Sequence, residues 1–276
     1  MENQTLLKFF ADFIQKELGI VYVEANYFQL QHRLENIATQ LGHSDIQSLY
    51  QAAHSGITGQ MKTLLLDLAT NNETSFFRDQ SIFKALSEFM IPDLIRTGSK
   101  TSIQLWSAAS SAGQEVYSIA MEVDQARQLN SSIPQLKILA SDVSDTILKR
   151  AETGIYSQLE VQRGLPARLM IQYFDKDDQD QWVIKSHLKS GILFKKINLL
   201  HQWGNIGPFD IIFCRNVLIY QNVEKKIKII KELHNHLNAG GFLVLGAAES
   251  LFGLSTEFEQ MVHGSAVFHK KKSKEN

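Results

Sequence analysis

Four short strings in this chain concentrate the side chains that can do chemistry. SAASSAGQE (107–115) is a run of small residues, with Gly113 as its only glycine. Such a run lets the chain turn sharply and lets a ligand approach the backbone. QLKILASD (135–142) ends in an acid, Asp142. At the tip of a strand, an acid can accept hydrogen bonds from both hydroxyls of a nucleotide's ribose. Cys214–Arg215–Asn216 is followed by the apolar segment Val217, Leu218, Ile219 and Tyr220, which suits a polar strand tip beside a site wall. NNETSFFRD (71–79) compresses two Asn, two hydroxyls, two Phe and an Arg into one linker. Each string also has a plainer reading. The small-residue run serves equally as a strand-to-helix turn. Asp142 lies in SDVSD, which holds several helix-cap candidates. Arg215 suits a surface ion pair and Tyr220 ordinary packing. The 71–79 string reads as a helix end with a cap at Thr74 or Ser75 and a buried aromatic pair. Taken singly, the strings leave these alternatives open.

Other chemistries lack their residues. The sequence has no HExxH, no GxGxxG and no Walker lysine motif. His234 and His236 are two apart on a helical stretch and point to different faces, so no metal site is expected. The single cysteine, Cys214, excludes an internal disulfide and alternates with Phe213 as a small core residue. A net charge of −1 argues against a nucleic-acid partner. The cluster Lys270, Lys271, Lys272 and Lys274 reads as a solvated tail. The N-terminal residues have spaced, not continuous, apolar positions and resemble neither a signal peptide nor a membrane span. A cytoplasmic protein without membrane insertion is expected.

The elements that must position these strings fall into two kinds. Leu6, Leu7, Phe10, Phe13, Ile14 and Leu18 recur at helical spacing before Gly19, and Leu30, Leu34, Ile37 and Leu41 before Gly42. Met61, Leu64, Leu65 and Leu68 form a third face, and 81–95 a further helix with Pro92 near its end. After Gly98, strands are expected at 102–108, 135–142, 209–216 and 240–248, alternating with helices at 114–129, 144–152 and 223–237. That alternation indicates a parallel sheet flanked by helices. AVFHKKK suggests a last edge strand. Residues 154–194, with the acidic run DKDDQD (175–180), read as an inserted lobe with a small antiparallel sheet. The expected division is a helical domain at 1–75 and an α/β domain at 76–276.

In combination the strings resemble the CheR family of chemotaxis receptor methyltransferases. The matching segments are NNETSFFRD, WSAASSAGQEVYSIA (106–120), ILASDVSDTILKRAETGIY (138–156), INLL (197–200) and PFDIIFCRNVLIY (208–220). They stand in the family's order across most of the chain. The resemblance implies a helical N-terminal domain, then a Rossmann-like S-adenosylmethionine-dependent methyltransferase domain carrying an inserted β-subdomain. It implies cofactor contacts at Asn72, Thr74, Arg78, Gly113, Glu115, Asp142, Asn198, Leu199, Arg215 and Asn216. Arg78 and Tyr220 would border the reaction, with Phe76 and Phe77 helping Tyr220 to exclude water. Two departures stand out. Gln114 replaces the family's usual first Glu, removing a charge expected near the sulfonium. Residues 1–75 hold four basic against eight acidic side chains, a balance of −4, where the family tends to present a basic helix.

The implied reaction joins a glutamate carboxylate oxygen of a chemoreceptor's cytoplasmic helices to the methyl of the sulfonium. A glutamate, with a pKa of ~4.3, is already ionised near neutral pH and needs no general base. Charge diminishes toward the transition state, so a closed, fairly apolar site with aligned reactants suits it. The short acidic turn at 175–180 suggests that no C-terminal receptor peptide tethers the enzyme, and a monomer is expected. The competing reading is a non-catalytic module that binds S-adenosylmethionine or S-adenosylhomocysteine and regulates a chemosensory array.

Overall fold

The structure is a computed structural model that describes residues 2–70, 72–98 and 100–272. Helices α1 (Glu2–Leu18), α2 (Tyr27–Gln40), α3 (Ile46–Ala53) and α4 (Gly59–Ala69) come first. Their apolar stripes meet in one cluster built on Phe10, Ile14, Leu30, Leu34, Leu49 and Leu65. Helix α3 was not expected. Its start is fixed by a reciprocal cap in which the Asp45 carboxylate accepts the Ser48 N–H at 2.7 Å.

The expected helix at 81–95 is one continuous run of three parts. Helix α5 (Ser81–Ala85) passes through a wider π-turn at Leu86–Met90 into α6 (Ile91–Thr97). Pro92 stands in the first turn of α6, immediately after the π-turn, where its missing N–H is tolerated.

Strand β1 (Ser102–Ala108), helix α7 (Gln114–Leu129), β2 (Gln135–Asp142) and α8 (Asp145–Thr153) open the α/β part. The inserted lobe then holds β3 (Ile155–Tyr156), α9 (Gln158–Gln162), α10 (Ala167–Tyr173), β4 (Phe174–Lys176), β5 (Trp182–Ile184) and α11 (Ser186–Lys189). Its three strands form a separate antiparallel sheet in the order β3-β5-β4. The chain continues through β6 (Ile192–Lys196), β7 (Phe209–Cys214), α12 (Val223–His236), β8 (Leu237–Leu245), β9 (Phe258–His263) and β10 (Ala266–Lys271).

The main sheet has the order β6-β2-β1-β7-β8-β10-β9. Strands β6, β2, β1, β7 and β8 are parallel, and β10 runs antiparallel to β8. Alternate residues serve opposite faces: Leu105, Ile211 and Phe213 belong to one core cluster, and Trp106, Ile212 and Cys214 to the other. Cys214 is fully buried, as a core residue should be.

Three sequence expectations change. The lobe ends before β6, which extends the main sheet by pairing with β2, so 154–194 overran its end. The AVFHKKK strand is not the edge: β10 lies between β8 and β9. Lys270 and Lys271 are therefore not a solvated tail. Lys270 pairs with Asp93 at 2.7 Å, and Lys271 donates to the carbonyls of His234 and Leu237. Lys274 lies outside the described residues.

The chain order moves outward from β1 in one direction through β2 and β6, and in the other through β7 and β8. The reversal falls between β1 and β7, whose last residues, Ala108 and Cys214, are paired. Ligands of open α/β sheets bind beyond the strand tips at such a point. No helix among the described residues is long and apolar enough to cross a membrane.

Candidate active site

A cleft opens at this switch point, with about 1010 Å³ of empty space counting its open mouth. Its walls bring together Asn72, Thr74, Arg78, Glu115, Asp142, Asn198, Leu199, Arg215, Asn216 and Tyr220. These residues span most of the chain, and the topology alone collects them.

The tips of β1 and β2 form one wall. In the loop after β1, Ala109 and Ser111 take positive φ values of 59° and 51°. Neither is a glycine, so the surroundings must hold the loop in place. The Ser110 N–H donates to the Ser141 carbonyl at 2.8 Å, and the Ser111 N–H to Asp142 Oδ2 at 3.0 Å. Asp142 Oδ1 accepts the Ser144 N–H at 3.1 Å. The helix-cap reading of Asp142 fails, because Ser144 itself caps α8 by accepting the Ile147 N–H. Asp142 is buried, which raises its carboxyl above the ordinary range, while the N–H groups of Ser144 and Ser111 oppose that shift. A carboxylate has about four acceptor positions, so the backbone does not use all of them and a ligand can take the rest.

Gly113 does not reach the cleft wall. It caps α7 with φ 91°, and a Cβ there would lie 3.0 Å from both Ala151 Cβ and Tyr156 Oη. Its smallness serves helix packing. Gln114 is buried behind the wall as well, so the exchange of Glu for Gln removes no charge from the cleft lining.

At the tip of β7, Arg215 is buried and is no surface ion pair. Its guanidinium reaches Glu115 Oε2 at 3.0 Å, Asp79 Oδ2 at 2.5 Å and the Arg78 carbonyl at 2.9 Å. Ser107 Oγ donates to the other oxygen of Glu115 at 2.8 Å. Two carboxylates share one guanidinium, leaving one negative charge in excess beside the cleft.

The linker contributes Asn72, Glu73, Thr74, Ser75 and Arg78 to the lining, while Asn71 lies outside the described residues. No helix begins at Thr74 or Ser75. Phe76 and Phe77 turn away from the cleft, contrary to the water-excluding role expected of them. Phe76 packs edge-on against Tyr156 and Phe174 at 5.0 and 5.6 Å, and Phe77 against Phe83 at 5.2 Å. The Phe77 N–H donates to Ser118 Oγ at 2.9 Å. The two rings are anchors beside which the exposed Arg78 is presented. Tyr220 ends a single 3-10 turn (Leu218–Tyr220) and is 40% exposed at the mouth.

The sequence reading missed the part played by α1. Leu18 and Ile20 line the cleft. Asn198 Nδ2 donates to the Glu17 carbonyl at 2.7 Å, Gln221 Nε2 to Leu18 O at 2.8 Å, and Lys225 Nζ to Gln15 O at 2.9 Å. The last carbonyls of a helix need partners, and here Asn198 and Gln221 supply them for Glu17 and Leu18, while Lys225 adds a second donor to the Gln15 carbonyl already bonded by Gly19 N–H. Only the stop at Gly19 was readable. Among the described residues no group of His, Cys, Asp and Glu is arranged to hold a metal.

A sheet with this reversal, a cleft above it and a buried acid at the second strand tip defines a Rossmann-like protein built to hold a nucleoside cofactor. The chain belongs to the CheR methyltransferase family, whose SAM binding domain matches residues 72–267. It is an S-adenosylmethionine-dependent methyltransferase. A chemotaxis protein methyltransferase of Pseudomonas putida is 35% identical over 267 residues, covering 95% of this chain and 96% of that protein. Chemotaxis protein methyltransferase 1 of Vibrio cholerae is 34% identical, covering 95% of each. Among solved structures, magnesium protoporphyrin IX methyltransferase of Synechocystis with bound SAM covers 87% of this chain and 97% of its own at 14% identity, TM-score 0.40. A putative class I methyltransferase of Listeria monocytogenes covers 99% of this chain and 89% of its own at 13% identity, TM-score 0.43.

Proposed function

We propose that the protein esterifies glutamate side chains on the cytoplasmic helical domains of chemoreceptors. One observation carries this reading: among the described residues the cleft lining contains no histidine, cysteine or lysine, and its acids Glu73, Glu115 and Asp142 each have partners, Glu73 pairing with Arg163. Glu115 is held by Arg215 and Ser107, and Asp142 by two backbone N–H groups. Such a site suits a nucleophile that arrives ionised, as a glutamate does at neutral pH. The relatives' description as chemotaxis protein methyltransferases supports receptors as the source of that carboxylate.

S-adenosylmethionine, when bound, supplies an electrophilic methyl on a sulfonium. The residues present fit it. Asp142 has acceptor positions for the ribose hydroxyls, and Asn198 and Leu199, in the lining, would flank the adenine. Ser110 Oγ and Arg215 Nε, in the wall, are buried without partners and can accept and donate to a polar ligand. The excess negative charge at Glu115, Asp79 and Arg215 favours a cation. Asn72, Thr74 and Asn216 complete the enclosure. Arg78, exposed at the linker, orients the incoming carboxylate, and Tyr220 shields the reacting centre at the mouth. Orientation of this kind is worth roughly 7–11 kcal/mol in well-aligned cases.

The helices of residues 1–75 form the substrate-facing unit of a cytoplasmic monomer. Its acidic balance leaves the usual basic docking helix unfulfilled. The lobe does not grip a receptor tail. The test is to incubate the protein with methyl-labelled S-adenosylmethionine and receptor-containing membranes. Base-labile label on receptors is expected. Label that survives base, or that is confined to small acids, would overturn the reading.

A further inference from the structure

The segment after β7 carries Arg215, Asn216 and Tyr220, and its backbone must be held in place. That task falls to Glu249, in the turn after β8. Glu249 Oε2 accepts the N–H groups of Gly246 at 2.7 Å and Asn216 at 2.8 Å. Glu249 Oε1 accepts those of Val217 at 2.9 Å and Ile219 at 3.2 Å. Four backbone donors converge on one carboxylate, and charge-assisted bonds of this type are the strong ones.

The backbone needs such an anchor. Asn216 takes φ 59°, a left-handed conformation for a residue with a side chain. Gly246 completes the clasp, because a Cβ there would lie 2.7 Å from Asn216 Nδ2 and 2.9 Å from both Asn216 N and Glu249 Oε2. Glu249 itself is not among the residues lining the cleft.

We propose that Glu249 is a positioning residue for methyl transfer, fixing the Val217–Ile219 turn that carries Tyr220 relative to the independently held Arg215. Arg215 has its own partners in Glu115, Asp79 and the Arg78 carbonyl. Loss of the Glu249 clasp therefore leaves the Arg215 side of the cleft in place and releases the mouth. The alignment of the incoming carboxylate suffers before cofactor affinity does. This assignment rests on the receptor-glutamate reading only for the activity readout.

Glu249→Gln keeps the side chain's size but replaces an acceptor oxygen with a donor facing N–H groups. The expected result is a fall in kcat of tenfold or more, with S-adenosylhomocysteine affinity changed less than threefold. Amide hydrogen exchange should accelerate at Val217 and Ile219 and stay unchanged in β1. Glu249→Asp, which keeps the charge, should recover part of kcat. The comparison variant is Ile230→Val, on the buried face of α12, assayed at a temperature where all the proteins are folded. Unchanged kcat in Glu249→Gln, or parallel losses of kcat and cofactor affinity matched by Ile230→Val, would overturn the assignment. If wild-type protein failed to label receptors, the receptor reading would fall. The exchange and affinity measurements would still decide the role of Glu249.

Discussion

Ser111 and Asp142 are joined across the tips of β1 and β2, the N–H of one donating to Oδ2 of the other at 3.0 Å. The acid that faces the cleft thus also holds a serine in a left-handed conformation, so ligand recognition and loop shape share one side chain.

Asp142→Ala should weaken S-adenosylhomocysteine binding by about 1–3 kcal/mol, the usual cost of leaving polar groups unpaired. Calorimetric titration measures it. Undiminished affinity would reduce Asp142 to a loop anchor.

The raised carboxyl of Asp142 predicts a pH dependence with a definite sign. Burial disfavours the charged form, so the folded protein holds this proton above the ordinary value of 3.8. Ionising Asp142 therefore costs the ligand-free protein stability as pH rises through that window. Ribose hydroxyls donate to the ionised form, so cofactor affinity should strengthen over the same rise, with proton release on binding. Titrations across the acidic range in two buffers of different ionisation enthalpy would show it. Asp142→Asn should abolish the release.

Arg78→Ala should lower turnover tenfold or more, equivalent to about 1.4 kcal/mol, while leaving the melting temperature nearly unchanged. The side chain is exposed, and its recorded hydrogen bond is a long one of 3.4 Å to the Glu73 carbonyl. A melting temperature that dropped in step with activity would make Arg78 a structural residue.

Arg215→Ala should behave in the opposite way. It leaves the largely buried Glu115 and the more exposed Asp79 without their shared cation, and breaking a buried pair such as Arg215–Glu115 costs about 3–5 kcal/mol. Thermal unfolding should fall by roughly 6–20 °C at 2–4 °C per kcal/mol. A stable, merely inactive variant would contradict the buried network.

Receptors lacking their C-terminal tails should be methylated as well as intact ones. The turn between β4 and β5 is closed on itself: Asp177 Oδ1 accepts the N–H groups of Gln179 and Gln181 at 2.9 and 2.8 Å. Strand addition needs free main-chain groups and a tolerant charge, and four Asp in 175–180 repel an acidic tail. Fluorescence titration with tail peptides should show no binding at micromolar concentrations.

The strand tips were legible because β1, β2 and β7 are largely apolar runs with polar residues at or just beyond their ends. What those residues touch was less so. Phe76 and Phe77 are adjacent to Arg78 in sequence, but the positive φ of Phe77, 49°, sends the rings to the core and the guanidinium outward. Gly113 looked like a ligand-loop glycine, while its constraint comes from Ala151 and Tyr156, far off in the chain. Glu249 carries no local signal, since its four partners are backbone amides. Strand β6 has only intermediate and exposed positions, and its apolar run Ile192–Leu193–Phe194 is cut short by Lys195 and Lys196.

Because Asn198, Gln221 and Lys225 take the last carbonyls of α1, the N-terminal helices and the cofactor share one docking equilibrium. Detaching the helices strands the Glu17 and Leu18 acceptors and removes Leu18 and Ile20 from the wall, so a cofactor that prefers the complete cleft also opposes detachment. Saturation at 100 times Kd adds about 2.7 kcal/mol to that attachment. The 19–26 connection should then resist proteases in proportion to cofactor supply, making the cell's methyl-donor level a determinant of how long each molecule survives intact.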